Sequence, residues 1–152
     1  MSETHTTLSA SASTVINAPA STIFAILADP RAHARIDGSG TVQGIVDGPE
    51  RLSLGAEFGV QMKRGFGYKT TNTVVEFVDN QQIGWRHRGA HVWRYELSPE
   101  GSAVRVTETW DGSAYTGLAK LIFKLSGLKG TQRSIEQTLV KLKAAAEADA
   151  VG

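Results

Sequence analysis

The feature that most constrains this chain is a change of period. From Thr41 to Asp111 apolar residues recur at every second position between closely spaced turn signals: Asp47-Gly48-Pro49, Gly65-Phe66-Gly67, Asp79-Asn80, Gly89 and Pro99-Glu100-Gly101. A period of two broken at such short intervals is the pattern of an antiparallel meander. Strands are predicted over residues 41–46, 57–64, 69–78, 82–88, 90–97 and 103–111, preceded by a first strand within 8–17, where β-branched Thr and Val favour extended backbone. After Trp110-Asp111-Gly112 the helical period returns. Leu118, Leu121, Ile122 and Leu125 form one stripe, residues 127–130 interrupt it, and Ile135, Leu139, Leu142 and Ala146 form a second.

Between the first two strands, Pro19 fits the start of a helix whose stripe is Ile23, Phe24 and Leu27. Asp29-Pro30 ends it and opens a second short helix over 30–36. Asp37-Gly38-Ser39-Gly40 then breaks the chain; lacking the Lys and long helix of a phosphate loop, it is a turn into the next strand. This order predicts an α+β fold, a curved seven-stranded antiparallel sheet around a long C-terminal helix, as one domain over 1–152 with an ordered core over about 8–148 and a frayed tail. A slender Leu, Ile and Ala stripe across a wide curved sheet leaves space unfilled, so a pocket is expected between them. The helix over 116–126, bounded by Gly112, Gly127 and Gly130, is expected to be a movable flap at its mouth, its stripe packed against the rest of the protein.

The 152 residues carry a formal net charge of +1, which creates no overall field for nucleic acid or anionic lipid. The absence of cysteine excludes disulfides, thiolate zinc sites and cysteine nucleophiles, and suits a reducing cytoplasm. Residues 1–12 lack the basic and apolar regions of a secretory signal, and no later stretch is apolar enough to span a membrane. A cytoplasmic protein is expected, monomeric or dimeric through the 118–125 stripe.

Pro19 with Ile23-Phe24, Leu27-Ala28-Asp29-Pro30, Trp85, the run Trp93-Arg94-Tyr95-Glu96-Leu97 and the run from Val104 to Trp110 resemble the polyketide cyclase/dehydrase branch of the START-like (SRPBCC) superfamily over nearly the whole chain. The resemblance implies a helix-grip fold whose deep cavity holds lipids, sterols, polyketides or aromatic ligands. It carries over no catalytic motif. The expected function is binding of a small hydrophobic molecule as carrier or sensor; the alternative is a cyclase/dehydrase-like enzyme using the same cavity.

Several residues are candidates for that cavity. Trp93 and Tyr95 share one strand face with Leu97, and Phe58 and Met62 share another with Val60; such faces fill cores as readily as they contact ligands. Trp85 and Trp110 extend the aromatic set. Asn72 falls with Val74 and Glu76 on a face expected to turn inward. Glu108 is the one carboxylate in the apolar row of Val104, Val106 and Trp110, where burial would raise its pKa into the range of a usable acid or base unless a neighbouring Arg pairs with it. His87 is the best-placed histidine for proton transfer, although between Arg86 and Arg88 it also reads as a solvated strand end. His5, His33 and His91 show no metal-ligand spacing, no Gly-x-Ser-x-Gly elbow occurs, and nothing calls for a cofactor.

Overall fold

The computed structural model describes residues 8–86 and 89–151, with the side chains of Ile45, Val46 and Arg64 excepted. His87 therefore lies outside the described residues. Strand β1 (Ser9–Ile16) turns Ala10 and Ile16 inward and its serines outward. Helix α1 (Ala20–Leu27) follows directly on Pro19 and buries Ile23, Phe24, Ile26 and Leu27. The Asp29 side chain accepts from the Arg31 N–H at 2.9 Å and caps a 3-10 turn, Pro30–Ala32, which leads into the one-turn helix α2 (His33–Ile36).

The meander comprises β2 (Val42–Asp47), β3 (Glu57–Arg64), β4 (Phe66–Val78), β5 (Gln82–Arg86), β6 (Val92–Glu100) and β7 (Ala103–Asp111). All neighbours pair antiparallel in one sheet of order β1-β7-β6-β5-β4-β3-β2, so β1 completes the sheet beside the last strand. Helices α3 (Gly117–Ser126) and α4 (Lys129–Val151) close the chain.

Helix α4 buries Ile135, Thr138, Leu139, Leu142, Ala145 and Ala146, and packs chiefly along β1, with α1, α2 and β7 as further neighbours. It thus seals one end of the curved sheet and leaves the concave faces of the middle strands to line a cavity. The loop after α2 is pressed against it. Gly38 N–H donates to Thr138 Oγ1 at 2.9 Å, and a Cβ on Gly38 would run into backbone atoms of Ser134 and Thr138.

Three expectations need correction. The tail does not fray at 148: α4 runs to Val151, and Arg35 holds Asp149 at 2.8 Å. Glu76 does not share the inner face of Asn72. One extra residue in β4, between the pairs Val74↔Trp85 and Glu76↔Gly84, shifts the alternation, so Val74 and Phe77 reach the core while Glu76 turns outward. Lastly, the stripe of α3 does not pack inward: Leu118, Leu121, Ile122 and Leu125 are all exposed, and α3 buries no residue fully.

Candidate functional site

Period and register build the cavity. Inner-face residues on neighbouring strands oppose one another directly, as in the pairs Trp85↔Trp93, Trp93↔Trp110 and Tyr95↔Glu108. The chain's three tryptophans consequently stand around one space of about 700 Å³. That is ample for a molecule of several fused rings. Met62, Tyr68, Thr70 and Asn72 line it from β3 and β4, His33 and Asp37 from α2 and the loop after it, and Phe123 and Leu128 from α3 and the joint beyond.

Of the sequence candidates, Trp85, Trp93, Tyr95, Trp110, Met62, Asn72 and Glu108 thus face one cavity. Phe58 does not line it: fully buried, it stands behind the wall and supports Trp85 edge-on at 5.7 Å. Two aromatic groups form and back the wall. In the first, His33 stacks on Trp85 at 4.8 Å and Trp85 leans on Tyr95 at 5.6 Å. In the second, His91, Trp110, Tyr115 and Phe123 pack at centroid distances from 4.7 to 6.2 Å and tie α3 to the sheet.

Glu108 is 3% exposed, and among the described residues no arginine pairs with it. Tyr95 donates its hydroxyl hydrogen to Oε1 at 2.8 Å, while Oε2 is buried with no partner among the described residues. Burial disfavours the charged carboxylate and lifts its pKa to about 8, against which the Tyr95 hydrogen bond acts; the negative charge of Asp37 raises it further. Glu108 is therefore mainly a neutral carboxylic acid at pH 7. Tyr95 is itself pushed well above the usual phenol value, first by burial and then by Glu108.

His33 was set aside in the sequence for lack of metal-ligand spacing, yet it is buried in the cavity wall. Its Nε2–H donates to the Leu27 carbonyl at 2.8 Å, which leaves Nδ1 an acceptor, and burial lowers its pKa so that the ring is neutral. The only signal for this position was its place on a short helix after Asp29-Pro30. Asp37 could not have been assigned to the cavity either. Its carboxylate accepts from the N–H groups of Ser39 and Val42, which makes the Asp37-Gly38-Ser39-Gly40 run the turn expected there. Among the described residues no three His, Asp or Glu side chains are grouped so as to hold a metal ion, and no helix is long and apolar enough to cross a membrane.

Comparison with known proteins supports the same architecture. The model of the family described as "Polyketide cyclase / dehydrase and lipid transport" matches residues 7–147. The uncharacterised protein Rv0088 of Mycobacterium tuberculosis is 40% identical over 141 residues, covering 87% of this chain; the chain spans only 61% of that relative's length. Among solved structures, a protein from Arthrobacter aurescens superposes with a TM-score of 0.74 at 14% identity, covering 97% of this chain and 90% of the other. Protein NE0264 from Nitrosomonas europaea gives 0.72 at 16% identity, with 95% and 97% covered. At such identities the structural likeness speaks for the fold alone. With the family match across most of its length and a seven-stranded sheet gripping a long C-terminal helix, the chain belongs to the polyketide cyclase/dehydrase and lipid transport family, of the helix-grip fold.

Proposed function

We propose that the protein binds a small, ring-bearing, largely apolar molecule in the concave cavity, its one polar end meeting Glu108, and that it acts as a carrier or sensor of that molecule. The observation that carries this reading is the Oε2 atom of Glu108, buried beside an aromatic wall with no hydrogen-bond partner among the described residues. A buried polar group left unpaired is costly. A carbonyl or hydroxyl group on a bound ring system would hydrogen-bond with this carboxyl, while Trp85, Trp93 and Trp110 supply the flat apolar surfaces. The family's description, which names both polyketide chemistry and lipid transport, agrees with this ligand class.

A second reading is favoured by the same carboxyl. An acid whose pKa lies near 8 can give and take a proton near neutral pH, as a cyclase or dehydratase step on a folded polyketide-like chain requires. His33, neutral and with a free acceptor nitrogen, lines the same space.

Native mass spectrometry of protein purified from its own host, searched for a co-purifying small molecule, identifies the ligand class. Calorimetric titration of that molecule then separates the readings. Under the binding reading, Trp93→Ala weakens affinity by about 1–3 kcal/mol, the worth of a buried aromatic side chain. Under the catalytic reading, Glu108→Gln leaves affinity near wild type and slows turnover by roughly 10²–10⁴-fold. Unchanged affinity in Trp93→Ala would remove the cavity from both.

A further inference from the structure

A second functional surface lies on the outside of α3 and does not depend on what fills the cavity. The helix is anchored from within by Phe123, which packs on Tyr115 at 4.7 Å and on Trp110 at 5.3 Å. Its strongest apolar stripe faces the other way. Leu118, Leu121, Ile122 and Leu125, at the i, i+3, i+4, i+7 spacing of a single helix face, are 72%, 51%, 57% and 77% exposed. Four large aliphatic side chains side by side in water on a ten-residue helix mark a contact surface, not incidental exposure.

Charge identifies the partner. Between Asp111 and Glu136 the chain has no acidic residue, but it has Lys120, Lys124, Lys129 and Arg133. Lys120 and Lys124 lie one turn apart on α3 itself, and Lys129 and Arg133 follow at the start of α4. The overall charge of +1 conceals this segment because acids elsewhere in the chain offset it. A second copy of the chain is a poor match: a two-fold contact through this face would bring the lysines of one protomer toward those of the other. An apolar stripe bordered by lysines fits an interface that is apolar below and anionic above.

We propose that α3 docks the protein on anionic lipid membranes, Leu118, Leu121, Ile122 and Leu125 entering the acyl boundary and the flanking Lys and Arg side chains meeting the headgroups. The placement gives the contact a purpose. Phe123 and Leu128 of the same segment line the cavity, so the membrane-facing helix is also a wall of the binding space. Its C-terminal joint is unusual: Gly127 and Leu128 are consecutive left-handed residues, with φ of 73° and 52°. Leu pays a steric penalty there that Gly does not, so the joint between α3 and α4 holds local strain.

The test is co-sedimentation of the full chain with vesicles of phosphatidylcholine alone and of phosphatidylcholine with phosphatidylglycerol, at low and high salt. Binding is expected on the anionic vesicles only, falling with salt because headgroup attraction is screened. The double substitution Leu121→Asp, Ile122→Asp should cut the bound fraction about tenfold or more, with the circular dichroism unchanged since both side chains are exposed in the wild type. The independent pair Lys120→Glu, Lys124→Glu should abolish the preference for anionic lipid. No binding to anionic vesicles, or equal binding by the aspartate variant, overturns the proposal. So does a concentration-dependent dimer in sedimentation velocity that the aspartate variant dissolves, since the stripe would then belong to a second copy.

Discussion

The two faces of the sheet treat a glutamate in opposite ways. On the outer face, Glu76 of β4 receives both Nε and Nη2 of Arg94 from β6, at 2.6 and 2.7 Å, and Asp111 of β7 joins at 3.2 Å. The strand between contributes Gly84, where a Cβ would collide with Glu76 Oε1, so the bridge spans β5 because that position has no side chain. The Arg94 hydrogen bonds hold Glu76 below the usual carboxylate range. On the concave face Glu108 has, among the described residues, only the Tyr95 hydroxyl, and burial drives it up to about 8. A carboxylate supplied with a guanidinium is structural. One supplied with only a phenol, facing a cavity, keeps its proton and its capacity for a ligand.

The largest expected effect that would sharpen this contrast is in the pH dependence of stability. Because the folded pKa of Glu108 is raised, its contribution is fully present below the unfolded value of 4.5 and is lost as pH rises through about 8. At about 1.4 kcal/mol per unit, the loss across that window is at most about 5 kcal/mol. Glu108→Gln should abolish it, matching the wild type near pH 4 and exceeding it above pH 8 in urea unfolding. His33, lowered by burial, acts in the other direction as pH falls below 6.5, so the difference between variant and wild type isolates Glu108. Parallel curves for the two proteins would break the comparison.

A smaller effect is expected on the outer face. Arg94→Met leaves Glu76 and Asp111 half-buried without their cation and should cost about 2 kcal/mol at pH 7, below the full value of a buried pair because water reaches this site. The cost should shrink as pH falls and the carboxylates protonate, the opposite sense to Glu108. Tyr95→Phe should have the smallest effect, about 1 kcal/mol, the net worth of one hydrogen bond. Because the Tyr95 hydroxyl favours the carboxylate form, its loss should move the Glu108 titration upward, which distinguishes it from a packing defect.

Much of this was legible in the sequence because it depends on period. Glu57–Arg64 and Ala103–Asp111 begin and end where alternation and turn residues place them, and the inward row of Val104, Val106, Glu108 and Trp110 follows from counting by two. What could not be read was where the period slips or where the covering element lies. One bulge residue in β4 moved Glu76 to the outer face, and no composition signal marks a bulge without Gly or Pro. The stripe of α3 reads like that of a core helix, since amphipathicity measures a face and not what covers it. His33 and Asp37 reach the cavity through the folding of α2 against the sheet, a tertiary placement that local spacing does not encode.

The central claim is that the cavity holds a protonated carboxyl group for its ligand, and Glu108 can be titrated directly. In protein carrying ¹³C at the glutamate side-chain carboxyl carbons, with Glu108→Gln used for assignment, one resonance should hold its protonated shift through neutral pH and titrate near 8. A Glu108 resonance that titrates near the ordinary 4.5 would mean that the cavity presents a charged carboxylate, and would contradict the account.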